Sequence, residues 1–347
     1  MIYHRGPHRL AVFTAASTFL LIIAGALVTS TGSGLSVPDW PNTYGRFMFA
    51  YPLDEMVGGI FYEHTHRMIA SVVGLLTVVL SVWVWRRESR RWVKILTLAA
   101  LAAVVLQGVL GGITVLFLLP TAVSVAHATL AQTFFALVSS VALVTSRWWA
   151  GPPRPDGTVV ASGGSSLTTL AIGASILVWI QLILGAVMRH TASGLAVPDF
   201  PLAYGSLFPA LSPQALQHYT ETLIGDDIRI AADGPITAGQ VAVHLLHRYW
   251  GILTGVVLVW TAVKCVRSVG VSSRLRALGM ILATVTILQV TLGAFTVIWR
   301  KPVDLTTAHV ALGAFLLVMT VMIALHSARL FGVHRSVRVP RVSEAAA

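Results

Sequence analysis

Four histidines carry the chemical interest of this 347-residue chain: His66, His127, His247 and His309. Each stands inside a long apolar stretch, where an imidazole has no water to bond and is costly unless it finds a partner. A neutral imidazole donates from one ring nitrogen and offers a lone pair at the other, so its partner is either a polar group on a neighbouring helix or a metal. A single membrane histidine is as well explained by an inter-helix hydrogen bond. Four at matched positions in a duplicated frame argue for ligation. They occur as two pairs, and two histidines facing each other across a helical bundle supply the two axial ligands of a heme iron. A zinc site wants three or four ligands together, and each half offers two.

Charged residues sit beside these histidines. Glu63 precedes His66 by three residues, so both share one helix face. The matching position in the second half is His244, and the duplication is broken there. A carboxylate beside a heme can exchange a proton or stabilise charge during an oxidation. The blander reading pairs Glu63 with Arg67 at i+4 or places it as an acid at a helix start. Arg67 and Arg248 directly follow His66 and His247, and their forks suit the two propionates of a heme. Arg189 is a third candidate for that role, with snorkelling to the interface as the alternative. His64 lies two residues from His66 and points to nearly the opposite side of the helix. His4, His8, His326 and His334 fall on the basic face or tail and His218 in a loop, and these read as solvated. His190 reads as exposed at a helix end.

The elements that must position these groups follow from composition. Hydrophobic residues make up 56% of the chain and charged residues 11%, with a mean hydropathy of +0.79. A soluble domain carries about 25% charged residues, so this chain lacks the polar surface of a soluble enzyme. Eight segments approach the roughly 20 apolar residues that cross a bilayer: 10–30, 63–85, 95–118, 122–145, 167–188, 241–263, 277–299 and 305–328. Helices are required, because lipid cannot satisfy open backbone groups. Most of the 24 Lys and Arg lie on one side: Arg5, Arg9, Arg86, Arg87, Arg90, Arg91, Lys94, Arg147, Arg154, Lys264, Arg267, Arg274, Arg276, Arg329, Arg335, Arg338 and Arg341. Arg46, Arg189, Arg229, Arg300 and Lys301 lie on the other. Both termini are therefore expected in the cytoplasm, with loops 31–62 and 189–240 outside. The net charge of +11 is a topology signal and needs no nucleic acid. The basic N-terminus runs into a first spanning helix, with no cleavage site of the signal-peptide kind. Cys265 is the only cysteine, which excludes a disulfide within the chain, and it reads as a reduced thiol in a cytoplasmic loop. All four histidines lie on helices that enter from outside, about one and a half turns in, roughly 7–9 Å deep.

The chain repeats itself. Thr31–Gly45 reads TGSGLSVPDWPNTYG and Thr191–Gly205 reads TASGLAVPDFPLAYG. Glu63-x-x-His66-Arg67 matches His244-x-x-His247-Arg248. Gln107, Gly111 and Thr114 match Gln289, Gly293 and Thr296, and His127 matches His309. The expected fold is an all-α membrane protein of eight transmembrane helices, built as two tandem pseudo-symmetric four-helix bundles related by an axis along the membrane normal. Residues 1–145 form the first half, 146–166 a cytoplasmic linker, 167–330 the second half and 331–347 a basic tail. The PDWP and PDFP loops read as covers or interfacial anchors, with Trp40 and Phe200 against apolar surface. Gln107 and Gln289 read as inter-helix hydrogen-bonding groups.

Together, T-x-SGL with PDWP, E-x-x-HR on the second helix, and single histidines on helices four, six and eight resemble the heme A synthase family over about residues 10–330. The resemblance implies oxidation of a ring methyl of heme O to a formyl group by successive hydroxylations. It implies substrate heme O in the first half at His66 and His127, with Glu63 as the catalytic carboxylate. It implies a permanent b-type heme in the second half, ligated by His247 and His309, that relays electrons. A heme O synthase would supply the substrate, an electron donor or acceptor would complete the reaction, and cytochrome oxidase assembly would use the product. The setting would be a prokaryotic plasma membrane, in contact with lipid and compatible with a homo-oligomer. One departure is clear: Val37 and Thr43, and Val197 and Ala203, stand where many members carry outer-loop cysteines, so a redox role for such a pair is absent. Rival readings are a diheme cytochrome that only transfers electrons, a heme carrier, and a structural subunit of a respiratory complex.

Overall fold

In the computed structural model, residues 3–151, 164–228, 234–267 and 272–332 are described. Arg154, Arg229, His334, Arg335, Arg338, Arg341 and most of the expected linker and tail lie outside them. The chain runs α1 (Arg5–Ser30), α2 (Gly58–Arg87), α3 (Arg91–Leu116), α4 (Thr121–Val144), a single turn α5 (Arg147–Ala150), α6 (Gly164–His190), α7 (Pro213–Gly225), α8 (Ala238–Arg267), α9 (Ser273–Ile298) and α10 (Val303–Gly332). Eight of these are long and apolar enough to cross a membrane. At 1.5 Å per residue each exceeds the roughly 30 Å hydrocarbon core, so their polar ends project from it. Large apolar side chains such as Phe13, Leu75, Val105 and Ile287 point outward, as lipid-facing surface should. Hydroxyls within the spans are satisfied locally: Thr18, Thr77, Thr97 and Thr286 each donate to the carbonyl four residues back, which removes the penalty of an unpaired polar group.

The helices pack in two rings. α1, α2, α3 and α4 each pack on the next, and α4 returns to α1; α6, α8, α9 and α10 do the same. The rings meet through α1 on α10, α4 on α6 and α4 on α10. Phe135, Val138 and Val141 pack there with Ala314 and Val318, and Phe19 lies between Phe135 at 5.6 Å and Phe315 at 6.1 Å.

The duplicated loop motif folds as a capped turn at the end of each ring that carries the long loops. The Asp39 carboxylate accepts the N–H of Tyr44 at 2.8 Å and of Gly45 at 2.7 Å. Asp199 does the same for Tyr204 and Gly205. Tyr44 and Gly45 both have positive φ, as do Tyr204 and Gly205, a conformation an Asx cap stabilises. The tyrosine hydroxyls close the turns by donating to the carbonyls of Ser36 and Ala196. Burial alone would raise the Asp39 pKa, but the backbone donors of Gly45 and Tyr44 and the charge of Arg67 outweigh it and hold it below its ordinary 3.8. A depressed carboxylate contributes stability that is present above its unfolded pKa and lost as pH falls through the folded one. Protease resistance of segment 39–46 is therefore expected to stay flat down to about pH 4 and to fall below it. Asp39→Asn should lose that acid limb; an unaltered acid limb in the variant would show that the cap does not close the turn.

Two features were not anticipated. The additional length of the second loop is used for α7, whose Tyr219 and Leu223 are buried. Tyr219 stacks on Tyr204 of the motif at 3.7 Å. Cys265 is not in a loop: it lies buried in the last turn of α8, against Gly279 of α9.

Candidate functional site

Each of the four histidines leans its ring on a glycine of the preceding long helix. His66 on α2 meets Gly25 of α1, His127 on α4 meets Gly111 of α3, His247 on α8 meets Gly185 of α6, and His309 on α10 meets Gly293 of α9. A Cβ at these glycines would stand 3.0, 3.3, 3.0 and 2.9 Å from the imidazole Cε1. No ordinary side chain fits there without displacing the ring. Gly111 and Gly293 were visible as repeat partners in the sequence; Gly25 and Gly185 were missed, although they occupy matching places in the two halves.

His66 lies within electrostatic range of His127, and His247 within that of His309. The Nδ1 atoms of His66, His127 and His247 are buried without a hydrogen-bond partner. His309 Nδ1 lies 3.2 Å from the Gln289 carbonyl oxygen, a contact that would fix the tautomer and leave Nε2 as the ligating nitrogen. Gln181 Nε2 lies 3.3 Å from His247 Nε2. Among the described residues no three His, Cys, Asp or Glu cluster as a metal site. Imidazoles in two pairs, each seated on a glycine, fit a planar group ligated from two sides, such as heme, and do not fit a compact metal ion.

Glu63 is buried, with 3% exposure. It accepts the Val37 N–H at 2.8 Å on one oxygen and an Arg67 Nη2 contact on the other. Arg67 also donates to the carbonyls of Asp39 at 2.6 Å, Asn42 at 3.1 Å and Val37 at 2.8 Å. Arg248 repeats this with Leu202 at 2.8 Å and Asp199 at 3.0 Å, and its Nη2 stands 2.9 Å from His244 Nε2. The Nη hydrogens of both arginines are thus occupied. The two side chains expected to meet heme propionates instead staple the loops to α2 and α8, because converging backbone carbonyls of a tight turn form a nest for a guanidinium. The i+4 pairing weighed for Glu63 is present. Removing one partner of a buried pair leaves a charge uncompensated, so Arg67→Met is expected to cost about 3 kcal/mol. Thermal unfolding in detergent tests this; a loss below about 1 kcal/mol would show the pair to behave as an exposed one.

Several secondary expectations are revised. His64 is buried and lies 3.1 Å from Thr43 Oγ1, under the loop. His326 is buried and stacks on Trp148 at 4.3 Å. His8 Nδ1 lies 3.0 Å from the Ala142 carbonyl oxygen. The side-chain oxygens of Gln107 and Gln289 make no hydrogen bond. Arg189 donates to the Thr29 carbonyl, linking α6 to the end of α1. The indole of Trp40 lies against Gly112, beside the glycine that backs His127. The loop thereby covers the first ring at its histidine end.

Comparison with known proteins adds to this geometry. Residues 8–321 match the family COX15-CtaA, described as "Cytochrome oxidase assembly protein". The chain is 29% identical over 273 residues to a "Heme A synthase" of Halalkalibacterium halodurans, covering 75% of this chain and 78% of that protein. It is 28% identical over 330 residues to a "Heme A synthase" of Shewanella oneidensis, covering 89% and 92%. A "Heme A synthase" of Shouchella clausii is 28% identical over 287 residues, covering 80% and 83%.

Proposed function

The chain belongs to the COX15-CtaA family of cytochrome oxidase assembly proteins, and from that we infer that it is a heme A synthase, an oxidoreductase that converts a ring methyl of heme O to a formyl group. The observation that carries this reading is the two-fold occurrence of a histidine pair with each ring seated on a glycine. In this assignment His66 and His127 hold the substrate heme O in the first half, residues 1–145. His247 and His309 hold a resident b-type heme in the second half, residues 167–330. Bound heme iron supplies redox chemistry at the first site and an electron relay at the second.

The protein's own contribution is positioning and electrostatics. Each imidazole is locked against a helix backbone, so its ring cannot rotate away from the bundle axis. Glu63, paired with Arg67, places a carboxylate one turn from His66, where it would stabilise positive charge that develops as the substrate is oxidised. Its counterpart His244 bears no such charge, which supports placing the reaction in the first half. The stapled loop and Trp40 exclude water from that half. The family's role implies a heme O synthase as supplier, an electron donor or acceptor, and cytochrome oxidase assembly as consumer. The distribution of Lys and Arg supports both termini in the cytoplasm, and the bacterial relatives support a prokaryotic plasma membrane.

The test is chromatography of hemes extracted from membranes that co-express this chain with a heme O synthase. Heme A or its hydroxymethyl precursor is expected. Heme B and heme O alone, on a folded and heme-loaded chain, would overturn the enzyme in favour of a diheme cytochrome or a carrier. Oxidation that survives Glu63→Ala at full rate would remove Glu63 from the chemistry.

A further inference from the structure

The shared motifs hide a charge difference between the halves. In the frame that aligns the two loop motifs, Arg189 stands where the first half has Thr29. In the frame that aligns His309 with His127, Arg300 and Lys301 stand where the first half has Leu118 and Leu119. The backbone is the same at both places. Leu118 and Leu119 have φ of 57° and 59°, and Arg300 and Lys301 have 58° and 60°. The Leu119 N–H donates to Thr114 and the Lys301 N–H to Thr296, each at 2.7 Å. A Cβ at Gly34 would meet Leu119 at 3.6 Å, and one at Gly194 would meet the Lys301 chain at 3.3 Å. One framework therefore presents a leucine in the first half and an ammonium in the second.

These cations stand at the loop end of the ring that carries the second histidine pair, Arg189 in the last turn of α6 and Lys301 just beyond α9. Arg189 is four residues beyond Gly185, the residue that backs His247, so it occupies the same face of α6 one turn nearer the loops. Lys301 is close enough to Arg189 for burial first, and then the arginine's charge, to hold its ammonium below its ordinary range. Among the described residues no ion pair involves either one, and Arg189 spends one Nη2 donor on the Thr29 carbonyl, leaving Nε and Nη1 for an anion. Two partly buried cations side by side call for an anion. Arg67 and Arg248 are less available for this, because each spends several Nη donors on loop carbonyls, where Arg189 spends one.

We propose that Arg189 and Lys301 bind the propionate carboxylates of the heme seated between His247 and His309, so that this heme is retained while the first-half heme, facing Thr29 and Leu119, is free to exchange. The inference rests on the assignment of hemes to both halves made above. A forked guanidinium and a mobile ammonium together suit two carboxylates on flexible arms. The difference that separates cofactor from substrate is then one of anchoring, while the ligands are alike.

The experiment gives the second half the first half's residues, as R189T/K301L in the full chain. Its readouts are heme transfer from purified protein to excess apomyoglobin and the midpoint potential of the remaining bis-histidine heme. Transfer from the slow, retained site is expected to quicken about tenfold or more, the loss of one charge-assisted contact. The potential is expected to fall, because removing positive charge disfavours the reduced heme. K301L alone gives the same direction if the double variant does not fold, and Lys301→Arg should restore wild-type retention. Unchanged transfer and potential in a heme-loaded variant would overturn the proposal. Loss of a bound anionic lipid in native mass spectrometry, with heme retention unaltered, would also overturn it and assign the pair to a lipid headgroup. Wild-type protein without any heme would instead refute the functional assignment beneath it.

Discussion

His66→Ala is expected to abolish conversion of heme O while leaving the absorbance of the second-half heme intact. The expectation follows from the separation of the two histidine pairs into different helical rings. His66 is seated on Gly25 of α1 and lies in range of His127 on α4, both in the first ring. Alanine removes the imidazole and its contact with Gly25 but leaves the rest of the packing of α1 on α2 in place, so the bundle should persist. Even indirect partners of a bound metal are worth 10–100-fold, so loss of a direct ligand should lower turnover on the order of 10²-fold or more. Extracted-heme chromatography gives the turnover, and the reduced-minus-oxidised spectrum of purified protein gives the resident heme. If turnover and spectrum vanished together in a folded variant, the assignment of substrate to the first half would be reversed.

Gly293→Val is expected to remove most of the resident heme without touching a ligand. A Cβ at position 293 would already stand 2.9 Å from His309 Cε1, and valine adds two methyls to it. The ring must swing off α9, which would separate Nδ1 from the Gln289 carbonyl oxygen. Overpacking of this kind costs about 1–3 kcal/mol, equivalent to roughly a tenfold to hundredfold loss of heme affinity. His309→Ala should remove the same absorbance outright. The paired variants separate ligation from seating, because Gly293→Ala should be intermediate between wild type and valine. A wild-type heme content in Gly293→Val would show that the glycine is only a helix-packing residue.

Much of the site was legible because membrane helices make polar residues conspicuous. His66, His127, His247 and His309 stand out against apolar runs, and their repeat spacing pairs them before any coordinates are known. The sharing of a helix face by Glu63, His66 and Arg67 is arithmetic on a 3.6-residue turn. The glycine cradles were harder to read, since a glycine in an apolar helix has many explanations and its partner lies on another helix. The loop contacts of Arg67 and Arg248 were hidden for a related reason. Position beside a histidine suggests a heme contact, but a guanidinium goes where acceptors converge, and these were assembled by loop residues 25–30 positions from Arg67 and 46–51 from Arg248.

The sequence by itself determined the class of molecule, the number of spans, the repeat and which histidines stand out inside the spans. Those follow from composition and local period, which are properties of the chain near each residue. Only the tertiary structure decided which helix each imidazole rests on, where each arginine spends its donors, and that Arg189 and Lys301 come together at the end of the second ring. Such facts depend on close approach between segments distant in sequence, at distances of a few ångströms where one methyl group or one carbonyl decides the outcome.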